Sequence, residues 1–458
     1  MLTSESQPQP LEAAYDELAT ALSRLVVVKD ITVFEYAIPE CEPIGWLAMQ
    51  AAGHRRYWAD RDGVTQTAGV GVGLEFRMAN ESPHAFIHRI RRTLGDHDLA
   101  VYGGFAFQSD AAFDQDWQSF GAGWFTLNRF EVTRFGSDTR FRCHLFPGDD
   151  PAIVLDQLKH LSSADKHVAD AAFDDTAPLA TISQRYDEPN AEGWADGIRE
   201  ALGLFSNEVL DKIVLARKAN FLCSEAMDPV HLMQRLIRAT HSCYHFCFEP
   251  RPGLAFIGAT PERLFRRRGD ELLSEVVAGT RARGATASED QALSDDLLES
   301  VKDQLEHDIV RKSIRQRLHQ LCDHLEVDQQ ASILKLARKQ HLYSAVRAKL
   351  RSDVSDGELV ERLHPTPAVG GYPTENALAE IQRIEPFARG WYAAPVGCIR
   401  PASAEFAVGI RSALLHDQRL SLYSGAGIVK GSTPAEEWQE IEHKISDFIG
   451  VLTRSDAE

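Results

Sequence analysis

Cysteine is one of the residues this sequence has little of. Its seven cysteines stand at irregular intervals, and no two of them form a CxxC pair. An odd number of cysteines at irregular spacing argues against a disulfide framework and is typical of a reducing compartment. We therefore expect a cytoplasmic protein.

Long apolar runs and a positive charge balance are also missing. No run approaches the roughly 18 apolar residues of a membrane-spanning helix. Residues 1–12 lack the basic and apolar stretches of a signal peptide, and we predict a disordered lead-in there. The net charge is −18, which repels nucleic acid and anionic membranes. We therefore expect neither of them as a partner.

The chain contains enough apolar residues for a large core. It has 458 residues, of which 44 % are hydrophobic, and we find no internal repeat. Strand-like and helix-like periodicities are mixed along the chain. Strands are predicted over 26–36, 140–145, 212–219, 243–248, 254–259, 393–399, 406–415 and 420–424. Helices are predicted over 152–161, 194–205, 229–241, 295–321 and 374–385, and a last one is predicted from residue 433.

Two patterns in the sequence suggest ligand sites but have the wrong spacing. The glycines of Gly69–Gly73 lack the spacing of a nucleotide-binding loop, and we predict a tight hairpin there. A second pattern places His and Cys at every second position, at His241, Cys243, His245 and Cys247. Along one straight strand these side chains spread too far for a tetrahedral zinc site, so we predict half-buried strand residues.

Prolines and glycines punctuate the segment Leu363–Pro373. This composition predicts an ordered loop that is neither helix nor strand. Polar His364 and Thr366 lie between the fixed turns. Loops held this rigidly often position groups against a ligand, so the segment is a candidate binding loop.

Lys212 and Glu262 are candidates for acid–base chemistry. Lys212 opens an apolar strand, where burial would favour the neutral amine that a general base requires. The alternative is a strand-end lysine that reaches solvent. Glu262 follows a hairpin, where apolar neighbours can raise the pKa of a carboxyl and make it a general acid. The alternative is an exposed turn glutamate paired with Arg263.

Three glutamates on two predicted helices are candidates for metal binding. Glu306 lies in a charge run, where it could bind a metal or simply pair with Lys302 on a solvated face. Glu437 and Glu440 are three residues apart and share one face of the last helix. Because Mg²⁺ takes carboxylates and waters in octahedral geometry, one glutamate from each of two helices would suit it.

Arg411, Lys444 and the segment Gly425–Gly427 are candidates for binding an anion. Arginine and lysine side chains could hold carboxylates, the arginine through a bidentate fork. Glycines let backbone amides approach a ligand closely.

Taken together, these blocks resemble the chorismate-utilising enzymes. The matching blocks cover about residues 190–450 and include Lys212–Arg217, Gly258–Arg263, Glu275–Arg281, Trp391–Gly397, Phe406–Arg411 and Ser424–Val429. The resemblance implies an α+β fold, with two packed antiparallel β-sheets flanked by helices. It also implies one large domain over 13–455, with a divergent N-terminal half (13–185) and a catalytic half (186–455).

Within this family, the form of the loop His364–Val369 is that of the isochorismate synthases. These isomerases add water at C2 of chorismate and remove the C4 hydroxyl, with Mg²⁺ as cofactor. Lys212 then matches the base and Glu262 the acid, Glu306 and Glu440 match the Mg²⁺ ligands, and Glu437 is expected to support them. The residues that match the substrate site are Gly279, Thr280, His341, Ala368, Arg411, Gly425 and Lys444.

Two alternatives to this function stay open. One is a salicylate synthase, which continues to pyruvate elimination, and the other is a non-catalytic chorismate-binding paralogue. Because Lys212 stands at the base position, no amidotransferase subunit is expected, and a monomer is the default. The product could serve menaquinone or siderophore biosynthesis, and the segment Tyr57–Arg61 favours the menaquinone-type enzymes.

Overall fold

The computed structural model describes residues 8–109, 114–168, 180–335 and 339–453. Residues 1–7 of the predicted lead-in lie outside this range, and the first helix begins at Leu11. None of the helices in these segments combines the length and the apolar character needed to cross a membrane.

The helices lie between and around long strands. They are α1 Leu11–Arg24, α2 Pro43–Ala48, α3 Pro83–Leu94, α4 Pro151–Val168, α5 Ala191–Ser206, α6 Pro229–Ala239, α7 Ala287–Glu299, α8 Val301–His319, α9 Asp356–Leu363, α10 Thr374–Ile384 and α11 Pro434–Thr453.

The first ten strands precede Glu262 in the chain, and the last two of them form a hairpin. They are β1 Thr32–Ile38, β2 Arg55–Ala59, β3 Thr65–Arg77, β4 Val101–Phe105, β5 Gly123–Phe135, β6 Asp138–Leu145, β7 Ile182–Glu188, β8 Lys212–Cys223, β9 Tyr244–Arg251 and β10 Leu254–Thr260. The others are β11 Arg263–Arg268, β12 Glu271–Ala282, β13 Cys322–Val327, β14 Ser332–Lys335, β15 Lys339–Leu350, β16 Gly371–Tyr372, β17 Pro395–Ile399, β18 Ser403–Val408, β19 Ser412–His416 and β20 Arg419–Ile428.

The described strands form one antiparallel network with two arms that share β5. One edge of β5 pairs with β3, while its other edge pairs with β4 over 123–126 and with β6 over 130–135. The first arm continues from β3 through β2, β9, β10, β19, β20 and β8 to β7. The second continues from β4 through β17, β18, β11 and β12 to β15. The predicted α+β class is confirmed, and the two expected sheets are joined through β5.

Two hydrophobic cores hold the helices and the arms together. The first contains residues from both arms, among them Phe246 and Phe256 in the first arm and Phe265 and Phe406 in the second. The ring centroids of Phe265 and Phe406 are 5.3 Å apart. The second core joins the first arm to α1, α2, α4, α6 and α11.

The glycine-rich segment Gly69–Gly73 lies inside β3, so the predicted hairpin is wrong. Gly71 has φ = 69°, and the register with β5 shifts between Val72 and Leu74. A Cβ at Gly69 would lie 1.9 Å from Cγ of Asn128. Glycine is therefore needed here for close strand approach and for a local kink.

The helix predicted over 295–321 is two helices. Ser300 has an extended backbone between α7 and α8, and its side chain accepts a hydrogen bond from the Asp303 amide, as an N-cap does. Three apolar side chains around the break are exposed instead of lying in a packed face: Leu298, Val301 and Leu305.

Two other predicted segments differ from the structure near the cavity described below. The strand predicted over 406–415 is divided into β18 and β19 by Gly409–Arg411, and Arg411 has φ = 47°. The loop Leu363–Pro373 contains the two-residue strand β16, which pairs with β8. The expectation that this loop contains no strand is wrong at Gly371–Tyr372.

The alternating His and Cys positions are more buried than predicted. Cys243, His245 and Cys247 are buried, whereas His241 precedes β9 and is exposed. His245 Nε2 lies 2.8 Å from the Thr240 hydroxyl. Across the described segments, no three His, Cys, Asp or Glu side chains come together as a metal site.

Candidate active site

A cavity of about 810 Å³ brings together ten of the twelve predicted site residues. Its walls come from both arms of the sheet, from α8 and α11, and from the loop before β16. The predicted residues that line it are Glu262, Gly279, Thr280, Glu306, His341, Ala368, Arg411, Gly425, Glu440 and Lys444. The other two, Lys212 and Glu437, lie behind the lining residues.

Lys212 is fully buried, so the alternative of a lysine reaching solvent is excluded. Its Nζ donates a hydrogen bond to Glu306 Oε1 at 2.8 Å, and Glu306 itself lines the cavity. A Cβ at Gly427 would lie 2.5 Å from Glu306 Oε1 and 3.2 Å from Lys212 Cε. Gly427 therefore leaves the space that this ion pair needs, a role that the sequence analysis did not assign to it.

Glu262 lies in the two-residue connection between β10 and β11, and its side chain is nearly buried. The pKa of Glu262 is raised to about 7, mainly by burial and also by the nearby Glu275 carboxylate, while cations that include Lys212 oppose the change. The guanidinium of Arg263 faces Glu275, at 3.6 Å, so the alternative of an exposed Glu262–Arg263 pair is wrong. At neutral pH such a carboxyl is available both to donate and to accept a proton.

Arg411 and His341 are hydrogen-bonded to each other, and both line the cavity. Arg411 donates to His341 Nε2 at 3.0 Å, and His341 Nδ1 lies 3.2 Å from the Gly279 carbonyl and 3.0 Å from the Thr280 hydroxyl. Burial, with the Arg411 charge, lowers the pKa of His341 to about 3. The imidazole is therefore neutral, and it orients the guanidinium.

Glu440 and Lys444 pair one turn apart on α11. Lys444 Nζ lies 2.7 Å from Glu440 Oε1 and donates to the Gly425 carbonyl at 2.8 Å. Burial acts to raise the pKa of Glu440, but Lys444 and other lysines outweigh it and hold the pKa below its ordinary value. Glu440 thus faces the cavity as a carboxylate.

Glu437 does not line the cavity. It is buried, and it accepts a hydrogen bond from Lys302 Nζ at 2.8 Å. Burial raises the pKa of Glu437, and the contact with Lys302 opposes that rise. The predicted i,i+4 pair between Lys302 and Glu306 is replaced by this pair and by the Lys212–Glu306 pair.

Glu306 and Glu440 together suit a hard divalent cation. Both are acidic side chains in the wall of one cavity. Burial lowers the pKa of Lys302, but the charges of Glu306 and Glu440 are among those that raise it. Both glutamates therefore lie close to Lys302. Mg²⁺ is bound in proteins by one or two carboxylates completed by water and substrate oxygens. The donor set therefore fits Mg²⁺ when an anionic ligand supplies further oxygens.

Arg389 and Tyr392 line the cavity, but no role was predicted for them. Arg389 pairs with Glu385 and donates to the carbonyls of Val369, at 2.8 Å, and Val214, at 2.7 Å, which ties the binding loop to β8. Tyr392 belongs to the block Trp391–Gly397. That this block matches the family is the only feature of the sequence that indicates a place for Tyr392 in the site.

The rigid loop contributes apolar groups to the cavity. Ala368 and Val369 line it, whereas the two polar residues expected to face a ligand do not. His364 Nε2 lies 3.1 Å from the Phe107 carbonyl, and Thr366 is buried. The loop is tied to β8 through Arg389 and β16, but neither polar side chain lines the cavity.

Comparison with known proteins gives consistent matches over most of the chain. Residues 21–453 match the family model described as "Chorismate binding enzyme". Isochorismate synthase 2 from Arabidopsis thaliana is 35 % identical over 399 residues, which cover 85 % of this chain and 71 % of that protein. Isochorismate synthase MenF from Escherichia coli K12 is 31 % identical over 97 % of this chain and 99 % of its own length. The solved structure of the Escherichia coli menaquinone-specific isochorismate synthase superposes with a TM-score of 0.85, at 30 % identity, and covers 97 % of this chain and 100 % of that one.

Proposed function

The chain belongs to the chorismate-binding enzyme family, and we propose that it is an isochorismate synthase. Its reaction adds water to C2 of chorismate and removes the C4 hydroxyl, reversibly. The observation that carries the proposal is Glu262, a buried carboxyl with a pKa of about 7 in the wall of a cavity that also holds cations and carboxylates. Relatives named as isochorismate synthases align with most of the chain.

Arg411 and Lys444 are positioned to hold the carboxylates of the dianionic substrate. Both line the cavity, and each is oriented by a neighbour, His341 for Arg411 and the Gly425 carbonyl for Lys444. Gly279, Thr280 and Ala368 form the wall around the ring. Because the whole chain carries a net charge of −18, these local cations are needed to attract an anion.

The acid–base step uses Lys212 and Glu262. Lys212 takes a proton from the water whose oxygen bonds to C2, and the ring double bonds shift as the C4–O bond breaks. Glu262 donates its proton to the departing C4 oxygen, which leaves as water. Lys212 donates to Glu306 in the structure, so Glu306 orients the amine.

We propose that Glu306 and Glu440 hold Mg²⁺, with Glu437 in support through Lys302. Bound Mg²⁺ would locate the ring carboxylate and offset its repulsion from the two glutamates. We further propose a cytoplasmic monomer that works without an amidotransferase subunit. All seven cysteines are free thiols, in agreement with a reducing compartment.

Product analysis tests the proposed function. Purified protein is incubated with chorismate and Mg²⁺, and the products are separated by chromatography. We expect isochorismate without salicylate or pyruvate, and a loss of roughly 10²–10⁴-fold in the Lys212→Ala variant. Release of salicylate and pyruvate would identify a salicylate synthase. Chorismate binding without turnover would identify a non-catalytic paralogue.

A further inference from the structure

The backbone that carries Glu262 is short and has few contacts of its own. Only Pro261 and Glu262 connect β10 to β11. The Glu262 amide donates to the Thr260 hydroxyl at 3.3 Å, and the Glu262 carbonyl accepts from Val408 at 3.0 Å. The groups on either side of Glu262, the Pro261 carbonyl and the Arg263 amide, are bound by side chains from elsewhere in the chain.

Arg61 and Glu275 are those two side chains, and they also bind each other. Arg61 donates to the Pro261 carbonyl at 3.0 Å, and Glu275 Oε1 accepts from the Arg263 amide at 3.0 Å. The same Glu275 oxygen accepts from the same Arg61 nitrogen. The Glu275 side chain is fully buried, and the Arg61 side chain is 13 % exposed.

Both partners are themselves held in place. Arg61 lies in the turn between β2 and β3, where the Asp60 carboxylate accepts from the amides of Val64 and Thr65. Glu275 lies within β12, where it pairs with Ala345 of β15. The ion pair therefore links a fixed turn of the N-terminal half to a strand of the C-terminal half, with the Glu262 segment between them.

We infer that Arg61 and Glu275 are positioning residues for Glu262. The pair, which we call the acid clamp, fixes the peptide groups before and after Glu262 and so sets where its carboxyl points in the cavity. This inference rests on the proposed role of Glu262 as the general acid. It gives the N-terminal segment Tyr57–Arg61 a function in the site.

The clamp matters for catalysis because proton transfer requires hydrogen-bond distance between the acid and the leaving oxygen. A displacement of about 1 Å can cost 10²-fold in rate. Glu275 has a second effect, since its negative charge disfavours the Glu262 carboxylate. The other charged groups that act on Glu262 are Lys212, Lys444 and Arg411, all of which favour its ionised form.

The first test is steady-state kinetics of Arg61→Met. We expect kcat to fall roughly 10–100-fold while KM stays within about twofold, the pattern of a contact that matters only in the transition state. Arg61→Lys keeps a cation that can donate to both acceptors from one nitrogen, so it should recover part of the loss. Arg134→Met is a matched control, because Arg134 is 15 % exposed and pairs with Glu42 away from the cavity. The control should retain wild-type kcat.

The second test separates geometry from charge with Glu275→Gln. The amide oxygen still accepts from Arg61 and from the Arg263 amide, but the negative charge is gone. Since that charge raises the pKa of Glu262, its removal should move the alkaline limb of the forward kcat profile to lower pH. A purely structural role would lower activity equally at all pH values, and that result would overturn this part of the inference.

The third test combines Arg61→Met with Glu262→Gln. If the clamp acts through Glu262, Arg61→Met should cost no further activity in the Glu262→Gln background. If Arg61→Met lowered kcat in the Glu262→Gln background as much as it does in wild type, the clamp would not act through Glu262. That result would leave the role of Glu262 as the acid unchanged. Wild-type turnover by Glu262→Gln alone would instead overturn the proposed function. Thermal denaturation of each variant identifies losses that are caused by unfolding.

Discussion

At the scale of single residues, the burial of Glu262 favours its activity as an acid but lowers the stability of the folded protein. Its carboxyl is buried beside another carboxylate, so ionisation is costly in the folded protein, even with three cations nearby. A group that must release and regain a proton at neutral pH needs that environment. The active-site acid therefore destabilises the folded protein at neutral pH.

This conflict between activity and stability predicts a pH-dependent stability effect of Glu262→Gln. The ordinary pKa of 4.5 is raised to about 7, so between these values the unfolded chain binds fewer protons than the native one. Wild-type stability therefore falls as pH rises through this window. The variant should gain stability relative to wild type, by on the order of 2 kcal/mol from pH 5 to pH 8. Urea unfolding in EDTA at several pH values measures the free energy of unfolding of both proteins. A difference between variant and wild type that does not change with pH would show that the pKa of the Glu262 carboxyl is not raised.

The roles of single residues were only partly predictable from the sequence. The positions of Lys212 and Glu262 followed from a strand start and a hairpin end, and their family match named a role. The partner of Lys212 did not follow, because Glu306 is distant in the chain and its local pattern favoured Lys302. Which lysine meets which glutamate is set by the packing of α8 against β12 and of α11 against β20.

At the scale of secondary-structure elements, α8 brings Glu306 and α11 brings Glu440 to the wall of one cavity. Neither helix alone forms a metal site, and the two glutamates are held by lysines on β8 and on α11 itself. The arrangement makes cation binding depend on both helices and on oxygens of the ligand. Activity should therefore require Mg²⁺ and should respond to either glutamate.

Glu306→Gln and Glu440→Gln should each raise the Mg²⁺ concentration for half-maximal activity by at least about 10-fold. An amide keeps the shape but loses the charge that attracts the cation, so high Mg²⁺ should restore part of the rate. Asp308→Asn is a matched control on α8, since Asp308 pairs with Arg311 and does not line the cavity. Full wild-type activity in excess EDTA would contradict the metal assignment.

Element boundaries were predictable where periodicity was strong and failed at local caps. The proline and capping box before α11 gave its start correctly. The break at Ser300 was missed because helical periodicity continues through it, while the serine caps the second helix. The strand predicted over 406–415 includes Arg411, whose positive φ divides β18 from β19 and has no signal in an arginine side chain.

At the scale of the whole molecule, both halves of the chain build one strand network and contribute to both hydrophobic cores. Strands β2 to β5 of the N-terminal half join the two arms, and aromatic side chains from each arm meet in the first core. The resemblance implied an α+β fold with antiparallel sheets. It could not imply that β5 belongs to both arms, because strand sharing depends on long-range pairing partners.

Phe406→Ala should weaken the first core. Its ring is fully buried and contacts those of Phe105, Phe125 and Phe265. Loss of a buried phenylalanine ring typically costs about 3–5 kcal/mol, and denaturant unfolding should show that loss. Phe135→Ala is the control, because Phe135 is 62 % exposed and should change stability little. Equal effects of the two substitutions would contradict a stabilising role for this cluster.

The most direct test of the account is the kinetics of Glu262→Gln in both directions, from chorismate and from isochorismate. Glutamine keeps the shape but cannot exchange the proton, so kcat should fall by roughly 10²–10⁴-fold in each direction with little change in KM. Both directions must fail together, because the group that protonates the C4 oxygen forward must accept that proton in reverse. A variant that lost only one direction, or only affinity, would contradict the assignment of Glu262 as the acid.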